Sequence, residues 1–580
     1  VSEPERRSIV PDDRSAAAEP TEPSDLQLRL CDPLAAAELG RALGVGPAVA
    51  QVLLHRGLGE ASRAREFLDA KLAGLTAPDA MRGRGEAAER LSEAIDRKDR
   101  IVLFGDYDVD GTTSTALLST VLEALGADVV ALAASRFEGY GLGDQALARV
   151  LDAKPGLVVT CDCGSTDHER VETARRAGVP TIVVDHHRVP DEPLPALAFL
   201  NPHQPGCAFP YKGLSSAGLA FSIAAAVRAA RKSTIDLRPF LDLVALGTVA
   251  DVMPLDGDNR RLVRAGLARL GDASARPGVL ALRERAKVRP GTSLLGSDIA
   301  FRLAPRLNAA GRLGDASLTL ALLRSKTLDE ARLIAARIEQ LNDERKELQQ
   351  RITEEAAAAV RASGVPVEGG IVVASDRWHR GVVGIVAARL VELFGAPTIV
   401  LAIEGEHAHG SGRTPQGFPL FDAIAACRST LERFGGHQAA AGVGVRTERI
   451  GLFREAFDAE CKRLRQGSRL VSDRAVDVVL DGSRFPLPRA SELLLLEPTG
   501  HGNREPRFLL DQARVEDASS VGDGHLKLML RVGSERLGAF GWDMASELSR
   551  IGRDVSVVGT LRPDGYRGGE AVELRLEKVV

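Results

Sequence analysis

The chain has 580 residues, 44% hydrophobic and 27% charged, with six cysteines. At roughly 100–200 residues per domain this is about three to five globular domains, which excludes full-length disorder, a collagen-like repeat or a small disulfide-stapled fold. The net charge of −4, from 75 Lys and Arg against 79 Asp and Glu, excludes a surface coated in phosphate-binding charge but leaves room for a basic groove, and 4% aromatic content argues against extensive base stacking.

Residues 1–25 are polar, rich in Pro and Glu, and carry no apolar export-signal core, so a disordered leader and a cytoplasmic location are expected. No apolar run approaches the ~20 residues of a membrane span. Residues 26–95 read as a helical segment, with breaks at Gly44-Val45-Gly46-Pro47 and Thr76-Ala77-Pro78. From 96 to 326 the texture changes. Short apolar runs at Ile101–Phe104, Val129–Ala133, Leu157–Thr160 and Thr181–Val184 alternate with helical stretches, the pattern of a parallel α/β sheet. Residues 327–363 contain no Gly or Pro and predict a long connecting helix between two lobes. A smaller α/β domain is expected over 364–468. The last segment, 469–580, alternates short strands with turns (AVDVVL, LKLMLRV, DVSVVGTL, AVELRLEKV) and predicts a β-barrel.

The sharpest chemical signal is Gly105-Asp106-Tyr107-Asp108-Val109-Asp110-Gly111, directly after the strand IVLF. Carboxylates at every second position line one edge of an extended segment, and their repulsion calls for a cation. An EF-hand is a poor fit: a strand precedes the loop, and Leu117 stands at its twelfth position instead of Glu. Asp162 ends the strand LVVTC, Asp185-His186-His187 ends TIVV, and Asp251 closes the apolar run LVALGTVA. Ligands in parallel sheets bind at the carboxyl ends of strands, so these residues are expected in one crevice. Oxygen donors with one or two His favour Mn²⁺ or Mg²⁺ over a thiolate zinc site. Strand alternation turns Cys161 and Cys163 away from Asp162, and both read as packing residues; His168 and His203 read as surface or structural. Thr112, Thr113 and Ser114 read as helix-capping residues.

GDYDVDG, Asp162, the DHH triplet at 185–187 and GTVADVMPL (247–255) resemble the DHH phosphoesterase superfamily. The resemblance narrows to the RecJ family through SRFEGYGL (135–142), NPHQPGCAFPYKGLSSAG (201–218), DNRRLVRAGL (258–267) and FRLAPRLNAAGRLGDA (301–316). WHRGVVGIVAARL (378–390), GSGR (410–413) and FGGHQAAAG (434–442) resemble the DHHA1 half. LEPTGHGNREPRF (496–508) and GHLKLML (524–530) resemble the family's oligonucleotide-binding (OB) barrel.

The resemblance implies an α/β fold: a parallel-sheet DHH domain and a smaller DHHA1 domain joined by a long helix, with a C-terminal OB barrel. It implies a metal-dependent 5′→3′ exonuclease that hydrolyses single-stranded DNA to mononucleotides in repair and recombination. Asp162 is then a bridging ligand between two divalent ions, Mn²⁺ or Mg²⁺. Asp110, His186 and Asp251 complete one site, Asp108 holds the other with Asp106, and His187 faces the scissile phosphate. Some superfamily members carry a His where this chain has Phe104. A two-metal hydrolysis of this kind needs no covalent protein nucleophile. Polarity requires a 5′-phosphate pocket, for which Arg413 with Ser411, Arg136, Arg312 and His437 are the candidates. Otherwise the arginines are surface charges. PTGHGNREP departs from the family's usual GPGNPEP at His501 and Arg504, where an altered turn is expected.

Trp378 and Tyr140 each read as a core aromatic or a base-stacking ring. The runs RRLVR (260–264) and RERAKVR (283–289) read as a strand track or as solvated helix faces. Phe508, Phe540, Trp542 and Tyr566 are the barrel's notable rings, some needed for its core and one or two for bases. Expected partners are single-stranded DNA, a single-strand-binding protein and a helicase, with no membrane and a monomeric chain. Competing readings are a DHH oligoribonuclease or cyclic-dinucleotide phosphodiesterase, which typically lacks the barrel, and an inactive DHH scaffold, which loses the metal carboxylates that this chain keeps.

Overall fold

The computed structural model describes residues 26–580 except 140, 289–292, 363–367, 437, 466–474 and 523. The leader, Tyr140 and His437 therefore lie outside the described residues. Among the described residues no helix is long and apolar enough to cross a membrane.

The N-terminal α/β half opens on a five-stranded parallel sheet of β1 (Arg100–Gly105), β2 (Asp128–Ala133), β3 (Leu157–Cys161), β4 (Thr181–Val184) and β5 (Ala198–Leu200), in the order β2-β1-β3-β4-β5. The central strands are buried on both faces, which explains their continuous apolar runs. β1 sends the chain outward to β2, whereas β3 lies on its other side. Strand order therefore reverses between β1 and β3, and a crevice opens at their carboxyl ends. Register levels the three strand ends: Gly105 lies opposite Cys161, and Cys161 opposite Val184. The ladder runs one residue further, with Asp106 N donating to Cys161 O at 3.1 Å, Asp162 N to Val184 O at 2.9 Å and Asp185 N to Leu200 O at 3.0 Å.

Helices Val109–Ala124, Ser216–Ala230, Leu241–Ala250 and Gly257–Gly271 build a helical layer sharing one core with this sheet. Leu241–Ala250 is apolar all round because neighbours cover it on every side. The 35-residue helix Leu328–Ala362 is about 50 Å long at 1.5 Å per residue. Its first half (Ala331, Ala335, Ile338, Leu341) belongs to the core under this sheet; its second half (Ile352, Ala356, Ala357, Val360) belongs to the next lobe. That lobe carries β6 (Ile371–Ser375), β7 (Thr398–Glu404), β8 (His407–Arg413), β9 (Arg433–Gly436) and β10 (Ala440–Arg446), ordered β6-β7-β8-β10-β9 with only β6 and β7 parallel.

The C-terminal strands β11 (Val478–Leu480), β12 (Arg507–Val521), β13 (His525–Val532), β14 (Glu535–Gly541), β15 (Asp554–Pro563) and β16 (Val572–Val579) form a barrel, closed by antiparallel pairing of β12 with β15. Closure removes the free sheet edges. The helical segment 26–95 divides between two cores. Ala36, Val49, Leu53 and Leu68 pack with Phe508, Leu528 and Val557 of the barrel, while Ala87, Leu91 and Ile95 pack in the core of the β1–β5 sheet.

Candidate metal centre

The acidic segment is not one extended edge. The Asp108 side chain accepts Gly111 N at 3.0 Å, caps the chain into the helix Val109–Ala124, and leaves Asp110 in its first turn. Thr112, Thr113 and Ser114 bond back to the carbonyls of Asp108, Val109 and Asp110, so they continue the helix and Asp108 is the cap. Gly111 permits this turn: a Cβ there would stand 2.6 Å from Asp106 N.

Asp110 is buried and is held by the N-terminus of the helix Ser216–Ala230. Ser216 N donates to its Oδ2 at 2.7 Å and Ala217 N to its Oδ1 at 3.0 Å. Ser216 Oγ donates to Asp162 Oδ1 at 3.0 Å. Asp162 has φ +65, a left-handed conformation uncommon outside glycine and one that turns its carboxylate inward from the strand end. Cys161 and Cys163 are fully buried beside it. His186 Nε2 lies 3.2 Å from both Asp162 Oδ1 and Asp251 Oδ2, and 3.9 Å from Asp110 Oδ2. Asp251 arrives from the C-terminal end of the helix Leu241–Ala250.

Ligand atoms fall into three groups, each within 4.8 Å: Asp110 with His186 and Asp251, Asp106 with Asp108 and Asp162, and Asp162 with both histidines. Burial, then the neighbouring carboxylates, pushes Asp106, Asp162 and Asp251 well above the ordinary carboxylate range, and Asp110 up to about 7. Burial, then the charge of His187, lowers His186 to about 4, leaving it in the neutral form that ligates a metal. His186 Nε2 and Asp106 Oδ1 are buried without a hydrogen-bond partner. Crowded carboxylates, a neutral imidazole and orphaned acceptors in one crevice fit a pair of hard divalent cations.

His187 differs. Burial pulls its pKa down, but the 2.7 Å bond from Nδ1 to Asp185 Oδ1 and the nearby carboxylates outweigh that and raise it to about 9. Asp185 also accepts the backbone N–H groups of Ser165, His186 and His187. Asn201 Nδ2 braces His187 O at 2.8 Å. Asp185 was expected in the crevice, but its pairing with His187 was not read from the sequence, and Ser216 and Asn201 were not singled out; an SSAG cap before an Ala-rich helix was the readable signal for Ser216.

Across the crevice the predicted arginines converge. Arg136 Nε donates to Gly311 O at 3.3 Å and its guanidinium stacks 4.1 Å from the Tyr107 ring. Arg312 donates to Gly381 O at 3.2 Å, and Arg413 Nη1 to Ser411 Oγ at 2.9 Å. These bonds go to neutral oxygens, and the three cations sense one another. Burial, then Arg136 and Arg413, lowers Arg312 to about 9, and burial followed by Arg136 lowers Arg413. Gly384, at the start of the helix Val383–Phe394, lies against Ser411 and Arg413. The arrangement offers a cationic, helix-capped cradle for an anion.

Trp378 is buried and donates Nε1–H to Glu355 at 3.0 Å, as a core aromatic does. Arg260 corrects the reading of RRLVR as a track or solvated face: it is buried, 3.7 Å from the Phe67 ring, with its donors on the carbonyls of Phe67, Leu495 and Leu496. Arg283 is likewise buried, donating to Leu270 O and Asp272 O.

Three family models match the chain: the DHH family N-terminal domain over residues 100–248, the DHHA1 domain over 368–463 and the RecJ OB domain over 476–578. The chain is 35% identical over 544 residues to the single-stranded-DNA-specific exonuclease RecJ of Bacillus subtilis (strain 168), spanning 92% of this chain and 68% of that protein. It is 36% identical over 545 residues to the protein of the same name from Escherichia coli (strain K12), spanning 89% and 93%. The crystal structure of RecJ in complex with Mn²⁺ from Thermus thermophilus superposes with a TM-score of 0.78 at 32% identity, covering 96% of this chain and 78% of that one.

Proposed function

The chain belongs to the RecJ family of single-stranded-DNA-specific exonucleases, and on that premise we propose that it is a divalent-metal-dependent 5′→3′ exonuclease that releases mononucleotides from single-stranded DNA in repair and recombination. The observation that carries the reading is the convergence of five carboxylates and two histidines at the β1–β3 switch point. In this reading Asp110, His186 and Asp251 with Asp162 would hold one ion, and Asp108 and Asp106 with Asp162 would hold the other. Two bound Mn²⁺ or Mg²⁺ ions supply a water of lowered pKa and offset the charge of the phosphoryl group. The His187 imidazolium, held by Asp185, faces the crevice and stabilises negative charge developing on the phosphoryl oxygens. Arg136, Arg312, Arg413 and Ser411, with His437, take the 5′ phosphate, which sets the polarity.

The domains follow as 26–95 helical, 96–326 DHH, 327–363 connecting helix, 364–468 DHHA1 and 469–580 OB barrel, after a leader at 1–25. A closed barrel favours a polymer substrate over a dinucleotide. The chain works as a cytoplasmic monomer, beside a single-strand-binding protein and a helicase. The test is Mn²⁺-dependent mononucleotide release by the full chain and by Asp162→Asn. The variant is expected to keep its circular dichroism and to lose at least roughly a thousandfold in rate, because the ligand serves both ions. Wild-type turnover in the folded variant would overturn the assignment.

A further inference from the structure

The loop that carries Asp251 is gripped from outside its own domain. The Asp251 side chain is 25% exposed, against 2% or less for Asp110 and Asp162, so it is the least enclosed of these three carboxylates. The turn behind it is strained: Val252, a β-branched residue, sits at φ +57. Inside the domain this turn is tied by Val252 N to Val249 O (3.2 Å), Met253 N to Thr248 O (3.1 Å) and Asn259 Nδ2 to Pro254 O (3.0 Å).

Tyr211 Oη also donates to Pro254 O at 3.4 Å, and Asp251 N to Gly247 O at 3.0 Å; further ties come from the barrel half. His501 lies in the loop between the helix Ala490–Leu496 and β12. Its Nδ1 donates to Val252 O at 2.9 Å, and its own carbonyl accepts Leu255 N at 2.7 Å. A Cβ on Gly500 would stand 2.8 Å from Leu255 Cδ1, and one on Gly502 would stand 3.3 Å from Pro254 Cβ, so the loop backbone rests directly on residues 254–255. The loop is anchored in turn: Asn503 Nδ2 donates to Leu496 O (2.9 Å) and Pro498 O (2.6 Å), and Arg260 donates to Leu496 O (3.0 Å). An anchored loop bonding both sides of a strained turn fixes where that turn places its first residue.

We propose that His501 is a positioning residue for the metal centre, clamping the 252–255 turn so that the barrel half sets the geometry of Asp251. The proposal rests on the reading of Asp251 as a metal ligand. It assigns a role to a position where this chain departs from the family's usual pattern. The clamp is a hydrogen bond from Nδ1–H, so an Asn amide can replace it and an Ala cannot.

The test is titration of the full chain with Mn²⁺, followed by the electron paramagnetic resonance signal of the free ion. Wild type is expected to show two sites. His501→Ala is expected to weaken one of them by roughly 3- to 10-fold and to leave the other unchanged; His501→Asn is expected to restore it to within about twofold. His501 is exposed, so the substitutions open no cavity. Unchanged affinities in His501→Ala, equal weakening of both sites, or failure of His501→Asn to restore binding would each overturn the clamp. A wild-type chain without two Mn²⁺ sites would overturn the metal-centre reading itself, a separate result.

Discussion

Asp185 shapes the crevice through a histidine. Burial alone would raise its pKa, but the His187 pair and the N–H groups on it hold it well below the ordinary carboxylate range. Its partner's pKa is raised to about 9. The stability held in the histidine is therefore complete below its unfolded value of about 6.5 and is lost as pH rises through 9; that held in the aspartate is present above the unfolded value near 3.9 and is lost as pH falls. In metal-free protein Asp185→Asn is expected to move the His187 titration down toward 6.5, leaving the ring neutral at pH 8. Nitrogen-15 resonances of histidine-labelled protein read this directly, and a His187 still titrating near 9 would contradict the pairing. The metal-ligand candidates were legible in the sequence because Asp106, Asp108 and Asp110 alternate directly after the run IVLF and the others lie at or just past the end of an apolar run. The pairing of Asp185 with His187 was not, nor were Ser216 and Asn201, because these roles depend on which neighbour the side chains meet.

The first four strands were legible to within a residue or two: β1, β3 and β4 are doubly buried and read as unbroken apolar runs, and the partly buried edge strand β2 carries the run Val129–Ala133. β5 was not: three residues are too few to show a pattern. The acidic segment was misread as extended because alternation alone cannot register that Asp108 caps a helix. Helix crossings are equally invisible. Gly247 lies where Leu241–Ala250 meets the helices carrying Asp110 and Ala217, and a Cβ there would reach within 2.6 Å of Thr113 Oγ1 and 2.9 Å of Ala217 Cβ while crowding Asp110. Gly247→Ala is expected to cost about 1–3 kcal/mol by overpacking and to weaken Mn²⁺ binding by displacing Asp110. A thermal melt and a Mn²⁺ titration check it; a variant matching wild type in both would show that the crossing has slack.

At the scale of the molecule, the barrel is more than an appended module. Its core includes Ala36, Val49 and Leu53 from the other end of the chain, and Arg260 joins it to the catalytic half through four carbonyls. Cutting the chain at the expected 468/469 domain edge would uncover that core and remove the His501 bonds to Val252 and Leu255. Of the barrel's rings, Phe508 is fully buried, as expected of a core ring, while Trp542 and Tyr566 are exposed. The net charge of −4 conceals the arginine cluster, because composition averages over surfaces that the fold separates. Metal dependence and polarity together are tested most directly by following both ends of a doubly labelled, 5′-phosphorylated single strand during hydrolysis by the full chain in Mn²⁺. The expected result is release of the 5′ label first, as a mononucleotide, with none after chelation of the metal. Release of the 3′ label first, internal cleavage, or hydrolysis that persists without a divalent ion would contradict it.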